Sequence, residues 1–146
     1  MIRRAMLAWL LMIPVAILNG LLRQTLFVPA VGDLAGHQLS VLTGAAAFFG
    51  VIYALLHGDA PRYTDRWLLG LGAVWVVATI VFEFGFGHWV MGTSWSRLLA
   101  DYNIFAGRLW VAVLAVIGLA PLAVKRIAIH RRNSQRRSDQ RLAHHA

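Results

Sequence analysis

Glu83, His88, Arg97, Asp101, Tyr102 and Arg108 all fall in one stretch, "FEFGFGHWVMGTSWSRLLADYNIFAGRLW" at Phe82–Trp110. These residue types can do chemistry together. A carboxylate beside guanidinium groups suits an anionic headgroup or a proton-coupled solute. The same set permits acid–base work on a phosphate-bearing substrate, with Glu83 or Asp101 as the base. Histidine pairs can ligate haem axially or hold a divalent metal, and His37 and His88 are the two candidates here. The candidate ligand cluster is therefore Asn19, Arg23, His37, Glu83, His88, Arg97, Asp101, Tyr102 and Arg108. No HExxH spacing, phosphate loop or nucleophile elbow accompanies it, and Ser94 and Ser96 have no recognisable elbow around them. No catalytic residue can be assigned, and whether the chain is an enzyme stays open. The chain has no cysteine, which excludes disulfides, thiolate metal sites and thiol chemistry.

Most of the chain that must position this cluster is oily. Of 146 residues, 59% are hydrophobic and 14% charged, and the mean hydropathy is +0.63. An ordinary soluble domain carries roughly 25% charged residues. A fold this small could not hide so much apolar surface from water. A membrane-crossing helix needs roughly 20 mostly apolar residues. Four segments meet that need or nearly do: about Ala5–Leu22, Leu39–Leu56, Trp67–Phe86 and Ile104–Val124. The expected fold is an all-α, four-transmembrane-helix bundle over residues 1–124, followed by a basic cytoplasmic tail over residues 125–146. Pro14 and Pro121 fall inside spans, where lipid-embedded helices tolerate proline. The N-terminal run is long and lacks a small-x-small cleavage site, so it reads as an uncleaved first span.

Charge sets the expected threading. In a four-span arrangement Arg3, Arg4, Arg62, Arg66 and the tail share one side, with eleven Lys and Arg against Asp59, Asp65 and Asp139. The other side balances Arg23, Arg97 and Arg108 against Asp33, Glu83 and Asp101. The positive-inside rule then places both termini in the cytoplasm. The tail "KRIAIHRRNSQRRSDQRLAHHA" reads as an orientation anchor with a loosely ordered end, able to lie on anionic lipid. Nucleic acid is a weaker reading of the same charge.

At about 100° per residue, polar and small residues form a stripe on each helix. Ala5, Met12, Ala16, Asn19 and Arg23 align on the first, and Ser40, Gly44, Ala47 and Val51 on the second. Gly72, Val76, Thr79, Glu83 and Gly87 align on the third. If the fourth helix begins near Ser94 or Trp95, Arg97, Asp101 and Arg108 align on it. Such stripes face a bundle interior, because hydrocarbon is costly for polar groups and small residues allow close approach. All of them become polar at the extracytoplasmic end. Glu83 is expected to pair with Arg108 or Arg23, and Asp101 with Arg97 or Arg108. Trp67, Trp89, Trp95 and Trp110 read as interfacial belt residues.

The phrases "GHQLSVLTG" at Gly36–Gly44, "FEFGFGHWVMG" at Phe82–Gly92 and "DYNIFAGRLW" at Asp101–Trp110 resemble those of small bacterial inner-membrane proteins of uncharacterised function. The resemblance covers most of the four-span body and implies a bundle in the bacterial inner membrane, with no activity or catalytic residue attached.

The leading expectation is a small integral inner-membrane protein, a binding, transport or accessory subunit, using the polar Glu/Arg/His cluster. The alternatives are an enzyme acting on a lipid-linked or phosphate-bearing substrate, and a haem-binding membrane subunit. A purely structural role, pinning helix register, competes with all of these. No cofactor is expected as the leading case. The expected partners are the bilayer, anionic lipid at the tail, and further copies or a larger membrane complex.

Overall fold

The computed structural model describes residues 1–144, leaving aside the side chains of Asp139, Leu142, Ala143 and His144. Helices dominate, and no strand occurs among the described residues. Helix α1 spans Ile2–Leu22 and runs on through a wide π-type turn, Arg23–Phe27, into the short α2, Val28–Val31. After Gly32 comes α3, Asp33–Leu56. A loop with a 3-10 turn at Ala60–Arg62 leads to α4, Asp65–Gly85, and a second π-type turn, Phe86–Val90. A short helix α5, Trp95–Ala100, and a 3-10 turn at Ile104–Ala106 precede α6, Trp110–His144. Four stretches are long and apolar enough to cross a membrane: Ile2–Val31, Asp33–Leu56, Asp65–Val90 and Trp110–Ser138.

The packing order around the bundle is α1, α3, α6, α4. Each buried stripe follows the helical period. Ala5, Ala8 and Met12 line α1, and Phe48, Ile52 and Leu56 line α3. Leu68 and Trp75 come from α4, and Val113, Ile117 and Val124 from α6. The outer surface is equally apolar: Leu18, Leu42, Val74, Val77 and Val81 are each 61% to 66% exposed. Leu119 of α6 is 57% exposed as well, so all four long helices present apolar surface outward, as their length and composition for crossing a membrane would require.

Small residues set the α4–α6 contact. A Cβ on Gly72 would collide with the Gly118 carbonyl, so the two backbones lie directly against each other. Such close approach brings many backbone atoms of the two helices into van der Waals contact. The stripe expected on α3 is rotated slightly. Ser40 and Gly44 are buried, but Phe48 and Ile52 take the inner positions and Ala47 is exposed. Large side chains win there because they fill the space between α3 and its neighbours.

Ion pairs fasten one end. Arg4 Nη1 meets Asp59 Oδ2 at 3.2 Å, and Asp59 also takes Arg62 at 3.6 Å. Lys125 Nζ lies 2.7 Å from Asp65 Oδ1 and 2.8 Å from the Tyr63 carbonyl, while Arg126 Nη2 lies 2.6 Å from Asp65 Oδ2. Exposed pairs of this kind contribute little each. Their value here is to show that the N-terminus, the 57–64 loop and the start of the basic stretch share one end.

Two expectations fail at the chain's turns. The fourth long helix does not begin near Ser94. Asn103 Oδ1 accepts from the Ala106 N–H, and Gly107 sits at φ 75°, a left-handed conformation that glycine adopts at little cost. These two residues break the chain between α5 and α6. Arg97, Asp101 and Arg108 therefore share no helix. The C-terminal stretch, expected as a loose end, continues as helix across Val124 to His144. It has no glycine or proline after Pro121, and its arginines and glutamines are good helix formers.

Gly72→Val should cost at least ~1–3 kcal/mol by forcing α4 from α6, read as a lower melting temperature in detergent. Gly70→Ala, where an added Cβ meets nothing within 4 Å, should leave it unchanged.

Candidate functional site: a polar cleft between α1 and α4

Three of the four helix interfaces are closely packed. The fourth, between α1 and α4, is bridged by Trp9. Its indole Nε1 donates to Thr79 Oγ1 at 3.2 Å, and its ring meets Phe82 edge-on at 6.4 Å. Beyond Trp9, away from the ion-paired end, a cleft of about 930 Å³ opens between the two helices. Its floor and walls are apolar, with Met12, Ile13, Phe48, Phe82, Val113 and Ile117 among them. Its polar groups gather at the far end, where Arg23, Glu83, Arg97 and Asp101 reach it.

Glu83 is the anchor of that end. Its Oε2 accepts from Tyr102 Oη at 2.6 Å and from Trp110 Nε1 at 2.7 Å. One carboxylate oxygen thus ties α4 to the connecting segment and to the first residue of α6. This corrects the expected pairing of Glu83 with Arg108 or Arg23. The break at Gly107 turns Arg108 toward α3, where Nη2 meets Asp33 Oδ2 at 2.7 Å and Nη1 meets Asp101 Oδ1 at 3.4 Å. Asp101 thereby takes Arg108, and Arg97 makes no side-chain hydrogen bond or ion pair among the described residues. Burial pushes the Tyr102 hydroxyl above its ordinary range, and the Glu83 carboxylate it serves pushes it further.

The α1–α3 side is tied by Asn19. Its Nδ2 donates to the Ser40 carbonyl at 2.8 Å and to Ser40 Oγ at 2.9 Å, and its Oδ1 accepts from Thr43 Oγ1 at 2.8 Å. Both the nitrogen and the oxygen of this amide are therefore engaged by α3. One turn on, the Arg23 guanidinium lies 3.3 Å from His37 Nδ1. The other ring nitrogen, Nε2, accepts from the Leu109 backbone N–H at 3.3 Å. His37 is only 2% exposed.

His88 is placed elsewhere. It does not line the cleft. Its Nδ1 lies 3.0 Å from the Thr93 carbonyl, and its ring stacks on Trp95 at 4.1 Å, which fixes the turn after α4. The described residues contain no group of three or more His, Cys, Asp or Glu placed to hold one metal ion. Of the nine candidates, seven lie at or beside the cleft: Asn19, Arg23, His37, Glu83, Arg97 and Asp101 line it, and Tyr102 is bound to Glu83. Arg108 lies behind it with Asp33.

Reasoning from residue types missed Trp9 and Trp110 as parts of the site. An aromatic belt accounts for a tryptophan at a span end, but a half-buried indole N–H still needs an acceptor. The nearest span-end acceptor to Trp110 is Glu83, and that requirement was the available signal.

Glu83→Gln, Tyr102→Phe and Trp110→Phe should each lower stability by about 1–3 kcal/mol, Glu83→Gln most, because it weakens two charge-assisted bonds at once. The Tyr102 pKa is raised on folding, so its contribution is complete below about pH 10 and is lost as pH climbs above that value. Thermal melts of the wild type from pH 9 to 12 should show that extra loss, and Tyr102→Phe should lack it.

No family model, no curated protein and no solved structure matches this chain.

Proposed function

We propose that this is a multi-pass protein of the bacterial inner membrane, with both termini in the cytoplasm, that binds a small ligand in the α1–α4 cleft for carriage or presentation. The observation that carries this reading is the cleft itself. Its volume of about 930 Å³ lies in the range of small-molecule sites, roughly 300–1,000 Å³, and it combines apolar walls with a few convergent polar groups. A bundle whose polar residues served only to pin helix register would close on them. Here Arg23 and Arg97 border open space.

The orientation rests on charge. The ion-paired end holds Arg3, Arg4, Arg62, Arg66 and the basic stretch of α6, and the positive-inside rule assigns that end to the cytoplasm. The polar end of the cleft then opens toward the outer leaflet. The two π-type turns, at Arg23–Phe27 and Phe86–Val90, flank its mouth on α1 and α4. Such turns often mark functional positions within helices, since each re-aims the side chains that follow.

The chain contains no cysteine, so single cysteines report position cleanly. In intact cells, Ser94→Cys should react with a membrane-impermeant maleimide, and Ser138→Cys should react only after permeabilisation. Ala16→Cys, on the cleft wall, should react with a small thiosulfonate much faster than Leu18→Cys, which is 61% exposed on the outer surface. Reversed labelling of the first pair rejects the orientation, and equal slow rates for the second reject the open cleft.

A further inference from the structure

The donors around His37 and the cations at the cleft narrow the ligand. The Leu109 backbone N–H lies 3.3 Å from His37 Nε2, and Arg23 Nη1 lies 3.3 Å from Nδ1. Both neighbours can only donate, and a neutral imidazole accepts at one nitrogen alone, so in either tautomer one donor faces another. Protonating the ring makes matters worse, since both nitrogens would then face donors. A buried donor without an acceptor is costly, and Arg23, whose side chain borders the cleft, is the one of the two donors that an acceptor in the cleft can reach.

The local carboxylates do not fill that role. Asp33 and Asp101 bind Arg108, and Glu83 binds Tyr102 and Trp110. Asp33 and Asp101 are near enough to act on His37 through space, but neither hydrogen-bonds to it or to Arg23. Arg97 on α5 is the second guanidinium at the cleft without a carboxylate partner among the described residues. Guanidinium groups favour oxyanions, which accept their fork of N–H donors. Behind this polar end the walls are apolar, and the cleft runs from Gln24 to Trp9 along α1, roughly 22 Å at about 1.5 Å per residue.

We infer that the ligand is an amphiphile: an oxyanion head held by Arg23 and Arg97, with an apolar tail lying between α1 and α4 toward Trp9. This rests on the cleft being a binding site, and it adds the chemical class of the occupant. The head takes the place of the missing acceptor. The tail leaves through the one interface the helices do not close, past Ile13, Ile17 and Phe82.

The test is native mass spectrometry of the full chain, delipidated in detergent, against four probes: dioleoyl phosphatidic acid, oleate, dioleoylglycerol and inorganic phosphate. One phosphatidic acid or one oleate should bind per chain, at least tenfold more tightly than dioleoylglycerol, which has the tails without an oxyanion. Preference for the first marks a phosphate head and for the second a carboxylate head; both support the inference. Arg97→Gln, on an exposed position that folding does not need, should weaken the anionic amphiphiles about tenfold, as should Arg23→Gln. Inorganic phosphate binding as tightly as the lipid overturns the tail. Dioleoylglycerol binding equally, with the anionic amphiphiles unmoved by either arginine change, overturns the oxyanion head while the binding reading survives. If no probe binds and Ala16→Cys is unreactive, the binding reading fails together with the inference.

Discussion

A polar group buried between apolar helices has no water to turn to, so it must find its partner in the protein. Glu83 and Asn19 both obey that constraint. Glu83 is the test case, one carboxylate placed where α4 is still apolar on its outer side. It is satisfied by neutral donors, the Tyr102 hydroxyl and the Trp110 indole, both brought in by the segment that follows. Asn19 is satisfied by Ser40 and Thr43 across the α1–α3 interface. No buried side-chain nitrogen or oxygen among the described residues lacks a hydrogen-bonding neighbour. At His37 both neighbours are donors, the Arg23 guanidinium and the Leu109 N–H, and a neutral ring can satisfy only one of them.

The same constraint shapes the bundle. Small residues bring α4 against α6, the amide of Asn19 draws α1 to α3, and α3 packs on α6, so three interfaces close. Trp9 spans the remaining gap at one level only. What lies beyond it is a space walled by side chains from every long helix, apolar within and charged at its end. A bundle of four rods (each tied to its neighbours by different means) thus acquires a cavity without any special element to build it.

Much of this was legible in the amino-acid order. Long apolar runs announce spans through length and composition alone, and the polar ends of the stripes do converge at one end. Asn19, Arg23, His37, Glu83, Arg97 and Asp101 all reach the cleft. The failures have physical causes. A helical wheel aligns Arg97, Asp101 and Arg108, but Asn103 and Gly107 are turn formers, and they break the helix the wheel assumes. Complementary charge made Arg108 the obvious mate for Glu83, yet a carboxylate is served as well by two neutral donors at close range. Arg108 was then free to bind Asp33, which sequence distance alone could not bring near. The continued helix after Val124 follows from local propensity, which the basic character of that stretch obscured.

The account stands on Glu83 being sequestered by Trp110 at the junction of α4 and α6. Hydrogen exchange of the six tryptophan indoles, followed by ¹H–¹⁵N spectroscopy in lipid nanodiscs, reports this contact directly. The Trp110 indole N–H should exchange far more slowly than that of Trp89, which is 77% exposed, and its resonance should shift in Glu83→Gln. A Trp110 indole that exchanges as fast as Trp89 and ignores the change at position 83 would contradict it.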